Sequence, residues 1–252
     1  LAEYFREAGN DVIIVIDDLS MHAKMYRELA LLGRRAPGRN SYPGDMFFVH
    51  ARLMERAGNF LTPYGERSIT CLPVVEAPQG DLTGYIATNA ISMTDGHLFF
   101  DYNLFVEGRR PPINPFLSVT RVGRQIQHPV AREINQLLTS FLSSARQLET
   151  VTSFGAVLSD QIKDMLEKQQ QVYLLFNQFA HEIIPPPLQL YLFARIWNGF
   201  WKNKEEEKVS LQIHAIMKRY ATEANFRKNI EAVFSASPTL NTLLKTVRDR
   251  GL

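Results

Sequence analysis

The sequence predicts an α/β segment followed by an all-helical one, with the change near residue 126. Three observations carry this. Val12-Ile-Ile-Val-Ile16 is a run of β-branched apolar residues without a polar face, the pattern of a strand buried on both sides of a mostly parallel sheet. Leu19 to Leu32 follows with helix formers and with apolar residues at Met21, Met25, Leu29 and Leu32, three or four apart. Beyond residue 127, Gly and Pro become scarce and apolar residues recur at helical spacing.

Taken in order, residues 1–10 read as the end of a helix stopped by Gly9-Asn10. Strand 12–16 and helix 19–32 come next. Residues 33–45, Gly-Arg-Arg-Ala-Pro-Gly-Arg-Asn-Ser-Tyr-Pro-Gly-Asp, form a loop whose turn-formers and three arginines suit a functional surface as well as a solvated connection. Met46 to Ala57 reads as a helix with Phe47, Leu53 and Met54 toward the core, and residues 58–67 as a loop. Ser68 to Glu76 is a second buried-strand candidate ending in a carboxylate. Ala90 to Gly96 and His97 to Asp101 read as short strands, 103–115 as a loop, and Leu117 to Gly123 as a short strand that delivers Arg121 and breaks at glycine.

The second half reads as helices over Pro129–Gln147, Asp160–Phe179, Leu188–Trp201, Val209–Phe234 and Leu240–Arg248. Pro185-Pro-Pro187 ends one helix and can start the next. Asn203 to Lys208 is a solvated charge run at a junction. The predicted domains are therefore 1–126 and 127–252.

Composition narrows the function classes. The chain has 252 residues, 45% hydrophobic and 21% charged, which describes a soluble globular protein with room for one large or two ordinary domains. A formal net charge of +2 argues against a dedicated nucleic-acid binder. The lone cysteine, Cys71, excludes an intramolecular disulfide and a cysteine-cluster zinc site. Leu1-Ala-Glu-Tyr-Phe-Arg-Glu7 has neither a basic leader nor an apolar core, so no signal peptide is expected, and the abrupt helix-like start suggests a piece of something longer. The apolar stretch Leu188–Trp201 is too short to span a bilayer, so any membrane association is expected through partners.

The chemistry-bearing candidates lie in the first half. Asp17 and Asp18 follow the first strand directly, and in open α/β sheets ligands bind outside the carboxyl ends of strands. In nucleotide-hydrolysing folds an aspartate here, the Walker B position, helps to hold Mg²⁺. The same pair also reads as a strand end and a helix cap. Arg121 reads either as a surface ion-pair residue or as an edge arginine that reaches a neighbouring subunit's phosphate. His50 and His97 read as packing or surface residues.

Several motifs together resemble one family, the alpha subunits of F-type ATP synthases. They are Ile14-Val-Ile-Asp-Asp-Leu-Ser20, Gly33-Arg-Arg-Ala-Pro-Gly-Arg39 with Tyr42-Pro-Gly-Asp-Met-Phe47, Ala51-Arg-Leu-Met-Glu-Arg-Ala57, Leu72-Pro-Val-Val-Glu76, Tyr85-Ile-Ala-Thr-Asn89 with Ile91-Ser-Met-Thr-Asp-Gly96, and Leu117-Ser-Val-Thr-Arg-Val-Gly123. The likeness is sharp over 1–125 and only topological over 126–252, and it covers the second half of such a subunit. It implies an incomplete RecA-like parallel-sheet nucleotide-binding domain followed by a C-terminal helical bundle domain.

The resemblance also implies roles. Asp17 would be the Mg²⁺-side aspartate, and Arg121 the arginine finger given in trans to the catalytic beta subunit. Phe105, Arg110 and Pro111, with Gln178, would form an adenine pocket for ATP or ADP. The implied setting is a hetero-oligomeric ring of alpha and beta subunits on a central stalk, peripheral to the cytoplasmic face of a bacterial inner membrane or the matrix or stromal face in an organelle. The subunit would be regulatory and non-catalytic. The departures are Gln178-Phe179-Ala180 where the family has Gln-Gly-Gln, and Phe116 in place of a glycine. The sequence holds no Gly-x-x-x-x-Gly-Lys phosphate loop, so this polypeptide alone is expected to be inactive and to bind nucleotide poorly. The competing readings are a self-standing, beta-like or export-type ATPase fragment and a remnant that serves as an interaction module.

Overall fold

The structure, a computed structural model, describes residues 1–123, 125, 127–152 and 159–250. The predicted boundary at 126 falls on a residue outside the described ones. The chain forms two compact units, residues 1–98 with 118–121, and residues 99–117 with 122–252.

The first unit opens with helix α1 (Ala2–Glu7), and Gly9 at φ +91° turns the chain into strand β1 (Val12–Ile16). Strand β2 (Gly58–Thr62) and strand β3 (Gly65–Pro73) form a hairpin, and β3 pairs in parallel with β1, so the order is β1-β3-β2. The sheet is therefore mixed, with one parallel and one antiparallel pair. The hairpin replaces the loop expected over 58–67. Its signal was Thr62-Pro-Tyr-Gly65: the Thr62 hydroxyl donates to the Gly65 carbonyl at 2.7 Å, and Gly65 takes φ +92°, a conformation natural to glycine.

Burial corrects the expectation of a strand covered on both faces. Val12, Ile14 and Ile16 are half-buried and look toward α1 and the helix α3 (Met46–Met54), whereas Ile13 and Val15 are 72% and 59% exposed. Leu72, opposite Val15 in the ladder, is exposed with them. The helix α2 (Leu19–Leu32) shows the same inversion. Its small residues Ala23 and Ala30 are buried, whereas Met21, Met25, Leu29 and Leu32, the predicted core stripe, are exposed. Close packing on α3 and on helix α4 (Tyr85–Met93) favours the alanine side, because small side chains let helix backbones approach. In α3, Met46, His50 and Met54 turn inward, while Phe47 is exposed.

Ala90–Met93 belongs to α4 rather than to a strand, since Ile86, Ala87 and Ala90 recur at helical spacing and face the core. Strand β4 (Gly96–His97) then pairs antiparallel with strand β5 (Val119–Thr120). The expected strand 97–101 is thus cut to its first residue. A Cβ at Gly96 would overlap the carbonyl oxygen of Val119, so this close pairing requires glycine.

The second unit holds a short helix α5 (Tyr102–Val106), which replaces part of the predicted loop and is capped by Asp101. Six helices follow: α6 (Pro129–Thr152), α7 (Asp160–Phe176), α8 (Pro186–Trp197), α9 (Glu206–Thr222), α10 (Ala224–Ser235) and α11 (Leu240–Arg250). The proline run starts α8 as predicted. The single helix expected over 209–234 is broken at Glu223, although no Gly or Pro marks the site. The break lets Phe226, Ile230 and Val233 pack inward, and the Tyr220 hydroxyl reaches Glu231 across it at 3.0 Å.

Helix α8 is the apolar centre of this unit, with Leu188, Tyr191, Leu192, Phe193, Ala194 and Ile196 all buried. Buried Gln171 donates to the Trp201 carbonyl at 3.0 Å, and the Trp201 indole donates to Gln212 at 2.7 Å, so the polar atoms of this core are matched. Leu192→Ala leaves a cavity beside several helices at once. It is expected to cost the helical unit about 2–5 kcal/mol, read as a shift of the urea unfolding midpoint; a loss below about 1 kcal/mol would show that α8 is not the packing centre.

Candidate functional site

The end of β1 is tied to β3 by backbone alone. Val74 N–H donates to the Ile16 carbonyl and Leu19 N–H to the Val74 carbonyl, each at 2.9 Å. The intervening Asp17–Asp18 peptide is cis. The two carboxylates part company here. Asp18 is the N-cap of α2 and accepts from the Met21 N–H, meeting one of the donors left open by the first turn. Asp17 is exposed, and among the described residues no hydrogen bond or ion pair uses its carboxylate. The second strand-end carboxylate, Glu76, is engaged by Lys24 at 3.0 Å, and its N–H donates to buried Ser20. That hydrogen bond with Glu76 raises the Lys24 pKa.

The arginine-rich loop is fastened rather than loose. Arg35 donates to Asp45 at 2.7 Å and to the Tyr26 hydroxyl at 3.0 Å, and Tyr26 donates to the same Asp45 oxygen at 2.8 Å. The hydrogen bond from Arg35, then that from Tyr26, holds the Asp45 carboxyl below its ordinary range. Gly38 N–H donates to the Tyr42 carbonyl at 2.8 Å within a bridge between Pro37 and Pro43. Arg39 lies over Tyr85 and Arg27 over Tyr42, while the two tyrosine rings stack at 5.7 Å.

Arg121 leaves the end of β5 in the first unit. Its N–H donates to the Asp95 carbonyl at 2.7 Å, and one guanidinium nitrogen donates to the Ser92 carbonyl at 3.3 Å. The residue is exposed. Anchored backbone and exposed cation together present a fixed positive group at the surface. Asp95 and Ser92 do this through main-chain oxygens, which is why no side-chain pattern announced them.

Phe105, Arg110, Pro111 and Gln178 all fall in the second unit, and the structure brings them together. The Arg110 guanidinium lies 3.8 Å above the Phe105 ring and donates to the Phe105 carbonyl at 2.8 Å. Arg110 N–H donates to the Asn177 side chain at 2.8 Å, and Gln178 N–H donates to the Arg110 carbonyl at 2.7 Å, so 73 residues of intervening chain close onto the 105–111 loop. Pro111 follows Arg110 through a cis bond. The neighbouring Arg109 stacks at 3.5 Å on Tyr173. An aromatic ring, a planar cation and an amide on one exposed surface suit a flat heteroaromatic ligand.

The departures have structural reasons. Phe116 packs against the helical core with Arg146 over its ring, a contact that a glycine could not make. Phe179 is exposed and lies between His181 and His214, with ring centroids 6.0 and 5.8 Å away. Sequence reasoning missed buried Asn114, which accepts from the Phe116 and Leu117 N–H groups and donates to Asp101, shaping the approach to β5. It also missed a contact between His22 and buried His50. His97 is half-buried in β4.

Comparisons with known proteins agree with this architecture. Residues 1–120 match the model of the ATP synthase alpha/beta family, nucleotide-binding domain. The chain belongs to that family. Within it, the chain is similar to curated proteins named ATP synthase subunit alpha and matches their C-terminal half. It is 45% identical over 200 residues to the one from Acholeplasma laidlawii, covering 79% of this chain and 40% of that protein. It is 43% identical over 209 residues to that of Dictyoglomus turgidum, covering 83% and 41%. It is 38% identical over 245 residues to ATP synthase subunit alpha 1 of Mycoplasmopsis pulmonis, covering 97% and 46%. The chain thus spans less than half the length of these relatives.

The separate duties of the two strand-end carboxylates can be measured. Asp18→Ala is expected to lower the stability of the first unit by about 0.5–2 kcal/mol through the lost cap, whereas Asp17→Ala should leave it within about 0.5 kcal/mol of wild type. Equal losses in chemical denaturation would contradict the division.

Proposed function

We propose that this chain works as an alpha-type, non-catalytic regulatory part of a rotary proton-translocating ATP synthase. Arg121 reaches the catalytic site of a neighbouring beta subunit. The observation that carries this reading is the build of Arg121, whose backbone is pinned to Asp95 beside the β4–β5 pair while its guanidinium is exposed. A guanidinium keeps its charge, forks onto two oxygens and can stabilise charge that builds on a transferring phosphoryl group.

The chain's own nucleotide, ATP or ADP, stacks its base at the Phe105, Arg110, Pro111 and Gln178 cluster. The clustering of these four residues supports this. Asp17 is the protein ligand to Mg²⁺. Mg²⁺ takes one or two carboxylates alongside substrate phosphates, so one exposed, uncommitted carboxylate at a strand end fits, although the described residues offer no group of three or more metal-ligating side chains. When bound, the ion would neutralise phosphate charge.

The partners are the catalytic beta subunit and the central stalk. The exposed apolar residues of β1 and α2 support an assembled state, because surfaces of that kind mark association. The complex is peripheral, on the cytoplasmic face of a bacterial inner membrane or the equivalent matrix or stromal face. The bacterial relatives support the first. Among the described residues no helix is long and apolar enough to cross a membrane.

Arg121→Ala in a reconstituted ring is expected to lower multisite ATP turnover by about 10³-fold or more, with subunit stoichiometry unchanged by native mass spectrometry. Near-normal turnover in an intact ring would remove the finger assignment. Phe105→Ala is expected to weaken binding of a fluorescent adenine nucleotide to the alpha site by roughly tenfold, as for loss of one stacking partner, and equal binding would move the base elsewhere.

A further inference from the structure

His22 and His50 meet on facing helices of the first unit. His22 Nδ1 lies 3.1 Å from His50 Nε2, with ring centroids 5.1 Å apart. His22 is exposed, whereas His50 is fully buried, and its other ring nitrogen, Nδ1, is buried with no hydrogen-bond partner. One proton must sit between the two facing nitrogens. If His50 carries it on Nε2, its buried Nδ1 is a bare acceptor; if His22 carries it, His50 must hold an N–H on Nδ1 with nothing to receive it. An unpaired buried donor is the costlier choice, so at neutral pH His50 is the Nε2–H tautomer that donates to His22 Nδ1.

We propose that the His22–His50 pair is a pH-sensitive latch between α2 and α3. A proton arriving from solvent at His22 Nδ1 sets two N–H groups against each other. The contact then survives only if His50 moves its own proton to Nδ1, where no acceptor waits. Either way, protonating an exposed residue loosens a buried one. The core beneath is thin, with Ala23, Met46 and Ile86 as its buried centre, so α2 has little other packing to hold it.

No neighbouring charge relieves the second proton among the described residues. On the α2 side, Tyr26 stacks beside His22, and its hydroxyl is bound to Asp45, which Arg35 already neutralises. Lys24 is paired with Glu76 from beyond β3, and the Asp18 carboxylate is engaged at the cap. On α3, Arg52 lies over Phe48. From α4 the titratable side chain is Tyr85, stacked on Tyr42. Burial, and secondarily the charge of His22, lowers the His50 pKa to about 4 from the usual 6.5. Because the folded state holds this proton less readily than the unfolded state does, the contribution to stability is full above pH 6.5 and is lost as pH falls from 6.5 toward 4.

The test is ring-nitrogen NMR on the 252-residue chain, together with its thermal unfolding between pH 5 and 8. Expected are an Nε2–H tautomer for His50 at pH 7.5 and a melting temperature that falls by about 5 °C or more from pH 7 to pH 5. His22→Gln, whose amide can serve His50 without taking a proton, is expected to remove at least half of that fall. A His50 that carries its proton on Nδ1 at pH 7.5, or a fall unchanged in His22→Gln, overturns the latch. If His22→Gln does not fold, the wild-type tautomer decides alone.

Discussion

The parallel pairing of β1 with β3 is the constraint on which the first unit depends. Each strand supplies the other's backbone partners, and the relay continues past the ladder, from Val74 N–H to the Ile16 carbonyl and from Leu19 N–H to the Val74 carbonyl. These two bonds set where the chain stops being strand and where α2 begins. With the backbone held on both sides, Asp17 and Asp18 have no freedom to exchange places. One carboxylate must cap the helix and the other must face solvent. The same pairing lets β2 close as a hairpin on the far side of β3 and places the half-buried face of β1 toward α1 and α3.

The two units are stabilised differently. The helical unit has a continuous apolar core organised on α8, with its few buried amides satisfied, so its stability follows from area removed from water. The first unit has a small apolar centre and leans on directed contacts instead: Arg35 with Asp45 and Tyr26, Lys24 with Glu76, the stacked tyrosines, and the histidine pair. Directed contacts lose strength when one partner changes protonation, which is why pH sensitivity concentrates there. Apolar side chains that this small core does not use, on β1 and along α2, stay at the surface.

A common device recurs at the candidate functional residues of this family member. Asp17 and Arg121 both have backbones pinned by neighbouring strands and side chains at the surface. Fixing the main chain removes the entropy that a mobile loop would lose on meeting a phosphate or an ion, so the charge is placed in advance. The Phe105–Arg110 stack achieves the same by ring contact, with Asn177 and Gln178 holding the loop from a distant part of the chain.

The sequence by itself determined the elements whose signal is local. The β-branched run of β1, the carboxylate that caps α2, the proline start of α8 and the strand carrying Arg121 were all legible, because propensity, capping and chain stiffness act over a few residues. The motifs also carried the family, and the sites they implied were named residue by residue. Only the tertiary structure decided which side of a helix faces inward. On α2 the larger apolar stripe is exposed and the alanines are buried, since backbone approach to α3 and α4 outweighs side-chain hydropathy. It decided the break at Glu223, where packing on α8 replaces any local signal, and the hairpin at Thr62–Gly65, whose strands stabilise each other only once β1 is beside them. It also brought His22 to His50, a contact made by two helices packing and therefore absent from any stretch of sequence shorter than both.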